Sequence, residues 1–474
     1  MSIRSILLKT GRVLLSPIRR WRITLAVVLL LAAAHVALDQ ILLSKLASQR
    51  EAIRAAGGHL SFRDFWLNLD DSDNAAVVYR YAGSSIRLPH DRPGWDDSLP
   101  YRYVRSRLND CAVAAEPNAK ANEDRQPLTP EQESLVAEAL TANAHVYDLL
   151  KEAQGRPNCQ FGNYESALLD EQANPLLIVI NTGFMRELSR WAALRAVWEA
   201  EHGNPDAGYE WIEAGLHIAN AQCNDPLLIA GLTRVASISI VLDALEVIVC
   251  RHPAPDPLPE GFVKELERAG DRAVSAIFLE GERCFSNASC AAMRRQSRRL
   301  MRPFILTSNQ IHINDMSSQA IAALTEPDFQ ARRAKCAALE TPGVKLKAKL
   351  KAKPGFWYPL THMHRILADA LRPAMARSIT SFDRSIAMVA IARQAIALKQ
   401  YKAAHGEYPP DLQTLVPERT KDLPLDPFSG KLFQYRREGE GFILYSLWDD
   451  FKDDGGKPWD KTTKKGDYVW CCTR

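Results

Sequence analysis

From Ile23 to Leu43 the chain is apolar except for Thr24, His35, Asp39 and Gln40, with an unbroken apolar core from Leu25 to Ala34. No other stretch limits the fold so strongly. In hydrocarbon every backbone amide must be bonded within its own segment, and about 20 apolar residues in a helix cross a bilayer core. The spacing predicts a transmembrane helix over 23–43. Arg4, Lys9, Arg12, Arg19, Arg20 and Arg22 precede it without a single acid, and Trp21 stands at the expected interface. By the positive-inside rule this arm, residues 1–22, stays in the cytoplasm and the body lies across the membrane. Residues 3–15 also suit an amphipathic segment lying on the inner leaflet. A cleaved signal peptide, cut near Ala32–Ala34 or Ala37, is the other reading of the pattern. The long basic arm and the apolar Ile41-Leu42-Leu43 favour a retained anchor.

At 474 residues the chain exceeds what one hydrophobic core normally supports, so more than one folded unit is expected. The net charge of +4 hides a second basic zone: from Arg283 to Lys353 fourteen Lys or Arg stand against four acids. Its end, Lys345-Leu-Lys-Ala-Lys-Leu-Lys-Ala-Lys353, alternates strictly. A strand would put all five lysines on one face, a helix would spread them, and their mutual repulsion also suits a loop. A basic zone calls for anionic neighbours. Outside the cytoplasm these are anionic lipid or acidic glycan, and nucleic acid is a poor partner.

The fold class is expected to be mainly α. Residues 44–130 form a loop-rich periplasmic segment punctuated by Pro89, Pro93-Gly94 and Pro100. Thr129-Pro130-Glu131-Gln132 starts a helix, with Thr129 as its cap. Residues 131–375 form an irregular α-helical domain. Within it Trp191, Leu194 and Trp198 share one helical face, as do Ala207, Trp211, Ala214 and Ile218. Gly203-Asn204-Pro205 stops the first of these helices and caps the second. A third carries Leu228, Leu232, Val235, Ile238, Leu242 and Leu245. The Gly203 hairpin resembles a tetratricopeptide unit, although no 34-residue period runs through the chain.

Nothing in the pattern nominates catalytic residues. Walker loops, Gly-x-Ser-x-Gly elbows and His-Glu-x-x-His helices are absent from the sequence. His362-Met-His364 would diverge on a helix and align on a strand, and a structural or surface role is expected. Asp70-Asp71-Ser-Asp73-Asn begins like a calcium loop but lacks the Gly at position six and the late Glu, so it reads as an Asx turn. The nine cysteines form no Cys-x-x-Cys pair. Cys284 and Cys290 are the expected local bridge, and the adjacent Cys471 and Cys472 could pair together only under strain.

Residues 376–474 read as an α+β unit. A helix over Ser378–Ala404 ends at Gly406, a turn holds Leu412, Leu415 and Val416, and strands Leu432–Arg436 and Phe442–Ser446 form a hairpin. An acidic loop follows. The order Gly-Glu-Tyr-Pro-Pro (406–410), Asp-Pro-Phe-Ser-Gly (426–430) and Tyr-Ser-Leu-Trp-Asp-Asp-Phe-Lys-Asp-Asp-Gly-Gly (445–456) resembles the C-terminal domain of the type II secretion major pseudopilin. The resemblance implies a bacterial envelope protein with a calcium-binding loop. The motif's Asp falls on Asp450, Asp453 and Asp454 follow, and Asp449 with backbone carbonyls completes the expected shell; Trp448 stands where the family has Gly. That family is processed just before its apolar helix at a site this chain lacks. More than 330 residues separate the anchor from the resembling part. The expectation is a membrane-anchored periplasmic structural or interaction protein beside secretion or pilus-type machinery. The second class is an envelope hydrolase or ligand-binding protein with its site in the helical domain.

Overall fold

The computed structural model describes residues 3–108, 125–162, 176–296, 306–351, 365–460 and 462–473, with backbone alone for 3–20, 176–182, 294–296 and 343–351. The chain is mainly helical with a small antiparallel sheet near its end. Helix α1, Ile3–Ala55, is 53 residues long, or about 80 Å at 1.5 Å per residue. Its part from Trp21 to Ala55 is long and apolar enough to cross a membrane. Leu25, Leu30, Val36 and Ile41 are exposed, uncovered by the described body. The helix does not stop after 43: it runs on to Ala55, and Leu46 and Ile53 are buried.

Residues 56–108, expected to be rich in loops, carry a short 3-10 turn at Phe62–Phe65 and two helices, α2 Ala75–Ser84 and α3 Leu99–Arg105. Asp73 and Asn74 lie at a turn, and the Asn74 side chain caps α2 by accepting from the Ala76 amide. Helices α4 (Pro130–Ala142) and α5 (Ala144–Gln154) follow; Thr129 and Gln132 form a capping box at the start of α4.

Three long helices build the main core: α6 Leu176–Glu201, α7 Pro205–Ala221 and α8 Leu228–Arg251. Gly203 has φ +90, the left-handed turn that frees Asn204 to cap α7 by accepting from the Ala207 amide. Trp191 and Trp211 are buried, and the Tyr147 ring meets both edge-on. They serve packing. Helix α8 also passes a membrane-span test by composition, but half of it is buried within the body, as suits a core helix.

The remaining helices are α9 Glu260–Gly270, α10 Arg272–Gln296, α11 Ser308–Leu324, α12 Phe329–Lys351 and α13 Ile366–His405. Helix α13 joins the two cores. Met375, Ile379 and Phe382 pack with Phe278, Ile313 and Met316. Further along, Ile391, Ala395 and Leu398 join the main core, which also takes in Phe442, Leu444 and Trp470 of the sheet. The anticipated domain start at 376 therefore falls inside an unbroken helix. Gly406, at φ +82, ends it.

The sheet has the order β1-β2-β3, with β1 Gln434–Glu438, β2 Gly441–Ser446 and β3 Tyr468–Cys472. Tyr435 faces Leu444, and Leu444 faces Trp470. The turn is tighter than the expected five-residue connection: Gly439, at φ +56, and Glu440 alone link the strands. Strand β3 goes beyond the expected hairpin. It carries the bridge that sequence spacing did not reveal, Cys250–Cys472, which ties the sheet to the end of α8. Cys284 and Cys290 are buried and are not bridged to each other. Both lie on α10 six residues apart, which turns their side chains about 120° away from each other.

Of the segments singled out in the sequence, His362, His364, Lys353 and residues 297–305 of the basic zone lie outside the described residues. The backbone carrying Lys345, Lys347, Lys349 and Lys351 is helical.

Candidate functional site

Two places gather polar side chains that packing alone does not explain. The first is the acidic loop between β2 and β3. Asp426 fixes its base: fully buried, it accepts from Ser446 Oγ at 2.7 Å and from the Phe428 amide at 3.0 Å. The Asp-Pro-Phe-Ser-Gly motif thus forms a turn that grips the end of β2. Gly430 is needed there, because at φ +68 an added Cβ would stand 2.7 Å from Phe329. Trp448 and Phe451 lie at φ +55 and +60, a region where a non-glycine residue is uncommon. Ring packing holds them: Trp448 stacks on Tyr468 at 4.8 Å, and Phe428 lies against Trp448 and Phe451.

The nominated carboxylates have separate engagements. Asp449 forms a two-pronged ion pair with Arg384 of α13. Asp450 Oδ1 accepts from the Lys452 amide at 3.1 Å. Asp453 Oδ1 accepts from Tyr445 Oη and from the Gly455 amide, each at 2.9 Å. Asp454 Oδ2 accepts from the Gly466 amide at 2.9 Å. Among the described residues no three His, Cys, Asp or Glu side chains come together to hold a metal ion.

One carboxylate absent from the sequence reading completes the loop. Asp467 is fully buried just before β3; its Oδ2 accepts from the Gly456 amide at 2.8 Å, and its Oδ1 lacks a well-formed hydrogen bond. Burial pushes its carboxyl up to about 7 against the pull of the Gly456 and Asp454 amides, and the Asp453 and Asp454 carboxylates raise it further. This corner therefore holds a buried acid whose proton is retained to higher pH than usual, beside two other carboxylates.

The second place is a cleft of about 650 Å³. Helices α9 and α13, the Asp256–Leu258 turn and the Arg419–Pro424 segment enclose it. Arg419 donates to Asp256 at 2.6 Å, and Gln400 Nε2 donates to the Pro255 carbonyl at 2.6 Å, so the turn is held at its start. Leu258, Val263, Leu266 and Ile396 give an apolar wall. Gln394 also lines the cleft; it is 3% exposed, and neither its Nε2 nor its Oε1 has a hydrogen-bond partner among the described residues. Sequence periodicity places Gln394 on a core helix and gives no sign that its amide is orphaned. Among the described residues the cleft lining holds no histidine or cysteine.

A third arrangement joins α1 to the body. Gln49 of α1 donates to Asp315 Oδ1 at 2.5 Å and to the Ile311 carbonyl at 3.0 Å, and accepts from Asn314 at 3.1 Å. Asn287 donates to Asn314 at 2.9 Å, and Gln310 donates to Asn287 at 2.7 Å. This largely buried chain fixes the direction in which α1 leaves the body.

Comparison with family models, with curated proteins and with solved structures finds no match to this chain.

Proposed function

We propose that this chain is a single-span protein of the bacterial inner membrane whose body lies in the periplasm. There it acts as a structural or interaction protein beside secretion or pilus-type machinery. The observation that carries the placement is the Cys250–Cys472 bridge. Disulfides persist in oxidising compartments, and six basic residues before the span put the body on the side where such a bridge survives. The junction at Gln49 supports a scaffold: a helix crossing the membrane enters the body unbroken and is bonded to it by polar groups, so load on the body reaches the anchor. The order of long helix, Asp-Pro-Phe turn, hairpin and acidic loop supports the pseudopilin-like reading.

Calcium belongs to this reading at the Asp467 corner. Asp453 and Asp454, with backbone carbonyls of the loop, would supply hard oxygen donors, and a cation there would relieve the carboxylate repulsion that reaches Asp467. Asp449 is spoken for by Arg384, and Asp450 by its own loop. The helical lysines Lys345–Lys351, with Lys353, are proposed to meet anionic lipid or glycan. Replacing all five with Gln should weaken binding to anionic vesicles at low salt, measured by co-sedimentation.

Cross-linking in intact cells, followed by capture of the full chain from detergent-solubilised membranes, tests the role. Envelope secretion or pilus-type components should be recovered. Recovery of cytoplasmic proteins alone would sink the reading.

A further inference from the structure

We propose that the cleft between α9, α13 and the Arg419–Pro424 segment binds a short extended peptide carrying an acidic side chain. Gln394 is the starting point. A buried carboxamide with both its donor and its acceptor unpaired costs free energy that a well-packed core helix has no reason to bear. A peptide group offers the complementary pair, a carbonyl for Nε2 and an amide N–H for Oε1. The volume of about 650 Å³ lies within the range of roughly 300–1,000 Å³ usual for ligand clefts.

The rest of the lining completes a peptide site. Leu258, Val263, Leu266 and Ile396 receive an apolar side chain on one wall. Arg393 is exposed and lines the cleft beside Gln394, with no ion-pair or hydrogen-bond partner among the described residues. Lys421 lines the cleft on the opposite segment, also without a partner. A guanidinium presents a rigid fork that matches a carboxylate, so an Asp or Glu of the peptide is the natural counter-charge. Arg419 is already paired with Asp256 and holds the cleft wall in place, and Glu267 and Asp422 balance the remaining cations, so the attraction for a carboxylate is local to Arg393. The inference uses neither the membrane nor the compartment. Its failure would leave the envelope reading intact, and a failed partner capture would leave this cleft as it stands.

A random library of capped pentapeptides, equilibrated with the detergent-solubilised full chain, tests it. Retained peptides are read by mass spectrometry and the best is resynthesised for titration. The wild type should enrich peptides containing Asp or Glu. Arg393→Glu should abolish that preference. Gln394→Leu should weaken the resynthesised peptide about tenfold, the loss of one to two hydrogen bonds, with a melting temperature at or above the wild type. Because Arg393 is exposed, R393E reports on binding even if Q394L folds poorly. No enrichment over empty micelles, or equal binding by wild type and R393E, would overturn the proposal.

Discussion

Glu246 lies buried on α8 where that helix meets β3, and burial pushes its carboxyl up to about 8, with Asp243 adding to the rise. The unfolded chain releases that proton near 4.5, so between 4.5 and 8 the folded state binds more protons than the unfolded one. Stability is therefore fully present below 4.5 and falls as pH rises through the window, by up to about 4 kcal/mol from this group. Asp467 adds to the loss up to about 7. Denaturant melts at pH 5, 6.5 and 8 should show declining stability, and Glu246→Gln should flatten most of the slope. At the other buried acid the calcium proposal becomes measurable. The full chain should melt higher in millimolar calcium than in chelator, by up to about 2.7 kcal/mol at a hundredfold excess over Kd. Asp453→Ala should remove the difference. Asp449→Asn should instead lower the melt in both buffers, because it frees Arg384. Equal melts of the wild type in calcium and chelator would leave the loop a hydrogen-bonded turn.

At the scale of elements, α13 is held by a buried ion cluster. Asp383 accepts from Arg272 at 2.5 Å and lies 3.6 Å from Arg332, whose Nη2 donates to the Pro427 carbonyl at 3.0 Å. One carboxylate thus links α10, α12, α13 and the Asp-Pro-Phe turn. Removing it strands two guanidinium groups with little water to solvate them. Asp383→Ala should cost about 3–5 kcal/mol in urea unfolding, more than Asp383→Asn, which still accepts a hydrogen bond. Signals confined to a few residues were legible in the sequence. Thr129, the Gly203-Asn204-Pro205 stop and Gly406 mark helix ends through backbone chemistry alone, and each boundary is found there. The start of α13 was not, because Pro373 and flanking arginines look like a break, whereas packing of Ala368 and Met375 carries the helix through. Strand β3 escaped because its pairing with β2 is non-local. Asp467 and Gln394 escaped because only tertiary contacts decide which polar groups are buried and orphaned.

For the whole molecule, the Cys250–Cys472 bridge ties together positions 222 residues apart in sequence. In the chain-entropy model such a closure restricts the unfolded state by about 5 kcal/mol. It also fixes β3, and with it the sheet, to the helix at the centre of the main core. The bridge and the anchor make one joint claim about topology. If the body lies outside the cytoplasm, Cys250 and Cys472 are oxidised in the protein taken from membranes, so denatured protein should titrate at least two more thiols after reduction than before. Cys472→Ala should shrink that difference and lower the melting temperature. A reporter fused after Leu43 should be active only if it works in the periplasm, and carbonate washing should leave the chain in the membrane. Nine thiols in carefully quenched native protein, together with a cytoplasmic reporter signal, would put the body on the other side. The basic arm would then have lost its orienting role, and the sheet would rest on packing of Phe442, Leu444 and Trp470 alone.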